Sequence, residues 1–363
     1  MRTFVLQQLL DDISTTGCFV SSYMRIKDED ALVIGAKMRE EPHFKGITFI
    51  HNTVSNNGLH IIFSKLPFCP YFEYLHLTCE TLNDVALEDF CQYLPSSHLR
   101  KVGFCEISCT YPSLQRLLSI LPVACSLRSL HLEKLNLNAQ TLQVLSTILN
   151  ATNITELYFP GNPFGDEGIE VLTNCLSNSR KIQVLDFSNC AITWRGAVGL
   201  SHIVSNLETL KRLELYGNSL GCEGLRFLSQ ALQHSKLKHL DISECDIGDA
   251  GVRCLSQNLP GSKLQYLGID SNFITDEGMI GEGGFVSGIQ EALHLSVIYL
   301  NDHPQISDYC FQELLKAVSW HPRINTFSIE DTEISDFNKR ILENKLKFQN
   351  SILVKNYCVH LGT

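Results

Sequence analysis

Three carboxylates, Asp186, Glu214 and Asp241, recur at intervals of 28 and 27 residues. Tyr216, Glu244, Tyr266, Asp270, Tyr299 and Glu330 follow in the same stretch of chain. Carboxylates that converge can cage a hard divalent cation, trade a proton as an acid–base pair, or hold a cationic surface. A cation cage wants about six or more oxygens arriving from looped backbone, and acid–base work wants a pocket. Holding a basic surface needs only that the charges share one face, with tyrosines as rigid anchors among them. The choice therefore turns on which elements carry these residues.

Those elements repeat. Leu210, Leu213, Leu215, Asn218 and Leu220 fall at offsets 0, 3, 5, 8 and 10, and the pattern returns every 27 or 28 residues, for example at Ile182, Leu185, Phe187, Cys190 and Ile192. Other copies start at Phe44, Phe72, Leu99, Leu127, Ile154, Leu237, Leu264, Leu295 and Ile324, and a degenerate one opens near Thr16. Such self-similarity is the mark of a solenoid. Within each copy, alternating apolar and polar residues predict a short strand with one buried face. The residue at offset 8 turns inward, where an Asn can hydrogen-bond the turn and the next coil. A helix follows, with an Ile169, Leu172, Leu176 stripe facing the core. Strands stack at ~4.8 Å and helices at about 8–10 Å, so the stack must bend. The expected fold class is α/β: a leucine-rich repeat solenoid, a right-handed β-α superhelix or horseshoe, with a concave parallel sheet and convex helices. Its expected parts are a capping helix over 1–15, an array of about 12 units over 16–336, and a C-terminal cap over 337–363.

On this geometry offsets 2, 4, 6 and 7 line the inner wall. The first half presents His51, Tyr74, His76, Lys101, His131 and Lys134; the second presents the carboxylates and tyrosines named above, with Asp302 and Asp331. Asp186, Glu214 and Asp241 take equivalent places on adjacent strands. Like charges so placed cost roughly 0.2–1 kcal/mol per pair, which Arg212 and His239 offset in part. A fold alone gains nothing from them, so the stripe reads as a binding site for a basic partner surface.

The period, the helical outer element and the alternation Asn162, Cys190, Asn218, Cys245, Asn272 resemble the ribonuclease-inhibitor type of leucine-rich repeat, shared with the sensor arrays of NOD-like receptors. The resemblance covers nearly the whole chain and is best from about 127 to 280. It implies a scaffold that engages macromolecules on its concave face. Offset 8 departs from it in three early units, at Glu80, Ile107 and Leu135.

Composition narrows the rest. The 363 residues carry 39 acidic and 29 basic side chains, a net charge of −10, which speaks against nucleic acid or an anionic membrane as partner. No apolar run approaches a membrane span, and Gln7, Gln8, Asp11 and Asp12 break any secretory core. The 14 cysteines lack a disulfide framework's spacing and read as reduced thiols of a cytoplasmic protein. His76, Cys79, Cys105 and His131 suggest zinc, but the two histidines stand two strands, ~10 Å, apart at the backbone, so no metal and no cofactor is expected.

No phosphate loop, nucleophile elbow or paired-histidine motif is present. The reading is a non-enzymatic, monomeric scaffold for a protein partner. Two alternatives are a GTPase-activating protein of RanGAP-like type and a recognition, sensor or effector module of a ubiquitin-ligase or innate-immune pathway. Residues 1–43 and 351–363 are short for a signalling domain, so a complete chain of this kind would act by occupancy. Two local expectations complete the reading. Gly281-Glu-Gly-Gly284 opens the helix entry of its unit into a bulge. Trp194 sits on a rim loop, whereas Trp320 is core.

Overall fold

The computed structural model describes residues 13–78 and 82–347. Most of the expected N-terminal capping helix, Cys79 and Glu80, and the end of the C-terminal cap lie outside the described residues. Two compact units, Met1–Pro163 and Phe164–Thr363, divide the chain.

In the first unit six strands, β1 (Cys18–Ser22), β2 (Gly46–Ile50), β3 (Tyr74–Thr78), β4 (Lys101–Cys105), β5 (Ser129–Glu133) and β6 (Glu156–Tyr158), alternate with helices α1 (Asp28–Glu40), α2 (Asn56–Phe63), α3 (Asp84–Tyr93), α4 (Tyr111–Ile120) and α5 (Ala139–Ile148). Each strand pairs in parallel with the next one in the chain. The second unit runs α6 (Gly165–Ser177), β7 (Val184–Asp186), α7 (Trp194–Asn206), β8 (Arg212–Glu214), α8 (Gly221–Leu232), β9 (His239–Asp241) and α9 (Asp249–Asn258). It continues with β10 (Tyr266–Gly268), α10 (Asp276–Ile280), α11 (Phe285–Glu291), β11 (Val297–Tyr299), α12 (Asp308–Trp320) and β12 (Thr326–Ser328), the strands again parallel and in chain order. Each unit is thus an α/β leucine-rich repeat solenoid. Equal offsets pair across strands: Leu185, Leu213, Leu240, Leu267 and Ile298 are in register and fully buried. Leu200, Leu225, Leu228, Val252 and Leu255 of the helices are also fully buried, and each such side chain contributes about 1.5–3 kcal/mol.

Two polar ties join consecutive coils. The amide at offset 8 is the first. Asn218 accepts from the backbone N–H of Cys190 and Ile192, at 3.1 and 3.0 Å, and donates to the carbonyls of Phe187 and Leu215. Asn162 and Asn272 repeat this. The amide therefore satisfies the preceding coil rather than the next one, as the sequence reading had it.

The second tie was not anticipated. Asp249, in the first turn of α9, accepts from the backbone N–H and hydroxyl of Thr275, the cap of α10, at 2.9 and 2.8 Å. Asp166 does the same for Thr193, Asp276 for Ser307 and Asp308 for Ser335. An acidic residue at a helix start, explicable by the macrodipole alone, also fastens the start of the following helix.

Trp194 stands where the aspartate would be and is 47% exposed, its ring 5.4 Å from the Arg195 guanidinium. The next helix, α8, has no side-chain cap and starts instead on Gly221 at φ +60°.

Two local expectations are corrected. The Gly281–Gly284 segment does not open a helix entry. It splits a helix that starts normally on its Thr275 cap into α10 and α11. A Cβ on Gly288 would then meet Ser256 at 2.5 Å, so α11 lies close against α9. Trp320 is 86% exposed, not core, because His321 takes the buried place in that turn. The His321 Nδ1 accepts from the N–H of Arg323 and Ile324, and its Nε2 donates to the Ala292 carbonyl. Cys254 is only half-buried, unlike Cys175, and the described cysteines are all free thiols, with Cys125 exposed.

Asn218→Ala, which removes four hydrogen bonds to buried backbone groups, should cost about 3 kcal/mol in denaturant unfolding. Asn218→Cys, the residue used at Cys190 and Cys245, should recover part of that loss. His303 holds offset 8 in its own repeat and is fully buried, and burial pushes its imidazole below its ordinary range. The unfolded chain therefore takes up this proton first, so the stability it lends is present above about pH 6.5 and declines as pH falls from there. His303→Asn should flatten the fall in melting temperature between about pH 7 and 5.

Candidate functional site

Side chains at offsets 2 and 4 leave each strand on the face turned away from the helices. In the second unit Asp186, Glu214 and Asp241 are in register on β7, β8 and β9. They are not three equivalent open charges. Glu214 is 8% exposed. Its Oε1 accepts from Arg212 Nε at 2.5 Å and lies 2.8 Å from His239 Nε2, so its charge is spent on neighbours. Asp186 and Asp241 are half-buried, and each accepts from the backbone N–H two residues on, of Ser188 and Ser243, at 2.9 Å. That contact closes the end of the strand. The fold does gain from these aspartates, contrary to the sequence reading.

Beyond Glu214 the face becomes aromatic. The His239 ring lies flat on Tyr266, centroids 3.7 Å apart at 7°, and Tyr266 meets Tyr299 at 5.6 Å. Asp241 reaches toward the next strand over Gly268, where an added Cβ would meet its carboxylate at 2.9–3.2 Å. Burial, reinforced by the charges of Asp241 and Glu214, pushes the Tyr266 phenol up to about 12. A hydrogen bond to Glu244 Oε1 at 2.5 Å is the main cause that raises Tyr216 to about 12. Both tyrosines are therefore neutral donors at neutral pH. Asp270, half-buried beside Asp241 and Asp302, is raised above the usual carboxylate range chiefly by burial, though it accepts from Asn301 N–H at 2.6 Å. Glu330 lies exposed after β12. The site residues expected from sequence thus share one face, with Glu244 on its border. Glu244, Asp302 and Asp331 all sit at offset 7, where the backbone is left-handed, φ 51–59°.

The first unit's face is different. His76 and His131, expected far apart, bring their ring centroids to 5.3 Å, edge to face. The residue between them in the register is Gly103, and a Cβ there would lie 2.2 Å from His76 Nδ1. His131 also stacks on Tyr158 at 5.6 Å and bonds Glu133 at 3.1 Å. Lys101 pairs with Glu156 at 3.9 Å across Ser129, and Lys134 with Glu106 at 2.6 Å. These rows border a depression of about 320 Å³. Among the described residues no three His, Cys, Asp or Glu side chains converge as a metal site would require. Burial pushes the Cys105 thiol up to about 12, away from the thiolate. The signal missed in the sequence was glycine: Gly103 and Gly268 occupy the offset-4 column as places for a neighbour's side chain.

Comparison with known proteins agrees with this architecture. The Leucine Rich repeat family model matches residues 150–172 and 233–256. Pig ribonuclease inhibitor is 29% identical, over 57% of this chain and 59% of the inhibitor. Bovine NACHT, LRR and PYD domains-containing protein 3 is 33% identical over 30% of this chain and 11% of its own length. The chain thus spans little more than half of the inhibitor and about a tenth of the receptor. The yeast Rad7 and Elc1 complex contains a chain of the same fold, with a TM-score of 0.51 at 15% identity, covering 93% of this chain and 94% of that one. The buried amides at offset 8, the 27- to 28-residue period and these relatives lead to one conclusion: the chain is built of leucine-rich repeats and is similar to those of the ribonuclease-inhibitor type.

Proposed function

We propose that the chain is a non-enzymatic protein-binding scaffold that takes a basic partner surface on the sheet face of its second unit. The supporting observation is the uncompensated charge beyond β9. Asp241 and Asp270 lie near Tyr266 in the His239–Tyr266–Tyr299 stack, Asp302, Glu330 and Asp331 follow in the next repeats, and from β10 to β12 the chain carries no Lys or Arg at offsets 2 to 7. Tyrosines held neutral and stacked lose little freedom on binding, which suits them as anchors. The carboxylates raise the encounter rate with a basic partner and penalise acidic ones. Relatives named as an inhibitor of ribonuclease accord with such a role. In this reading the array over 16–336 works in the cytoplasm as a monomer.

The partner is found by affinity capture from cytosolic lysate followed by mass spectrometry. Because Asp186 and Asp241 also accept backbone N–H groups, the informative variant is Asp186→Asn with Asp241→Asn, which keeps the acceptor and removes the charge. The captured partner should then bind about tenfold more weakly, mostly through a slower association that high salt abolishes. Equal affinity for wild type and variant at low salt removes the acidic face from the mechanism. Stimulated GTP hydrolysis by a captured GTPase would replace the scaffold reading with the GTPase-activating one.

A further inference from the structure

The unit with the acidic sheet face also carries a row of cations, along another edge. Lys236, Lys263, His294 and Arg323 each stand one residue before the first apolar residue of a repeat, and Lys211 and Lys238 one residue after it. Backbone hydrogen bonds hold the latter side by side: Lys238 N–H donates to the Lys211 carbonyl and Gln265 N–H to that of Lys238. All but the half-buried His294 are exposed. Lys263 Nζ lies 3.5 Å from His294 Nε2. Partial burial, with the charges of Lys263 and Arg323, holds the His294 imidazole below its ordinary range. Lys236 pairs with Glu208 at 3.3 Å between two highly exposed side chains. Among the described residues Lys238, Lys263 and Arg323 have no acidic partner.

An apolar patch ends the row. The His321–Ala292 hydrogen bond brings the turn carrying Trp320, 86% exposed, against the turn carrying Leu293, 58% exposed. Crowded cations on neighbouring strands and an exposed tryptophan are both costs to a fold that binds nothing there.

We propose that this rim docks an acidic, extended protein segment, whose carboxylates pair with Lys238, Lys263, His294 and Arg323 while an apolar side chain covers Trp320 and Leu293. The cations come once per strand, ~4.8 Å apart at the backbone, and alternate residues of an extended peptide lie ~6.8 Å apart, a difference that long Lys and Arg stems absorb. A segment is favoured over a broad anionic surface because the chain's net charge is −10. A membrane or duplex would also feel the acidic sheet face, whereas a single strand of peptide keeps to the rim, within a screening length of about 8 Å. The assignment is independent of what the sheet face binds.

The test uses the whole chain and a fluorescent peptide of about twelve glutamates with one central leucine, titrated by anisotropy near 50 mM salt. Lys263→Glu with Arg323→Glu should weaken binding at least ~30-fold, and Trp320→Ser ~3- to 10-fold. These side chains are exposed, so folding should survive, as circular dichroism would verify. Bound peptide should also move the His294 titration upward in the imidazole proton resonances, an effect that a structural role would not produce. The Asp186→Asn, Asp241→Asn protein should bind the peptide at least as well as wild type; weaker binding would move the site off the rim. Absence of binding to wild type, or unchanged affinity in the charge-reversed protein, overturns the proposal. So does displacement of the peptide by phosphatidylserine vesicles or single-stranded RNA that itself depends on Lys263 and Arg323.

Discussion

A buried amide between consecutive coils is the interaction on which the remainder rests. Strands of three residues, such as β8 and β9, make too few ladder bonds to fix their own register. Asn162, Asn218 and Asn272 each fill four backbone valences that a turn between coils leaves open. An unpaired buried amide group costs about 1–3 kcal/mol, so a slip of one residue would be penalised several times over. Register held in this way brings residues 27 or 28 apart in sequence onto neighbouring strands. The Arg212–Glu214–His239 cluster and the stacked aromatic row exist only on that condition.

The same regularity separates charge. A residue type repeated at one offset becomes a line in space, so acidic residues late in the chain make a face and basic residues before the strands make an edge. The lines differ in how they are compensated. Glu214 is enclosed by Arg212 and His239, whereas Asp241 and Asp302 both lie near Asp270, whose carboxyl is raised chiefly by burial and further by their charges. Within one unit, then, some charges serve cohesion and others are left for solvent or a partner.

Much of the fold was legible in the sequence because the period is strict. Buried positions, strand offsets and the inward Asn all follow from the leucine pattern. Directionality was not legible. Nothing in the sequence says that Asn218 serves the coil before it while Asp249 serves the helix after it; both depend on which backbone groups the turns leave open. The candidate site was legible as a column of residue types, but the state of each member was not. Glu214 and Asp241 look alike in sequence, yet one is ion-paired and the other closes its own strand. His76 and His131 were judged by backbone spacing, and the side chains closed that gap because Gly103 yields space. Trp320 was misplaced because hydrophobicity was weighed ahead of the turn's need for an acceptor, which only His321 meets.

Asn ties reach back along the chain and Asp ties reach forward, and the boundary between the repeats at Leu237 and Leu264 carries both, through Asn272 and Asp249. Cutting such an array at a doubly fastened boundary strands unpaired groups on both fragments. The boundary between the repeats at Leu210 and Leu237 carries neither: Cys222 accepts from Gly248 N–H and Cys245 donates to the Leu215 carbonyl in their place. Shortening or recombining repeats, by a genome or by an engineer, therefore meets a lower barrier at that seam than between α9 and α10.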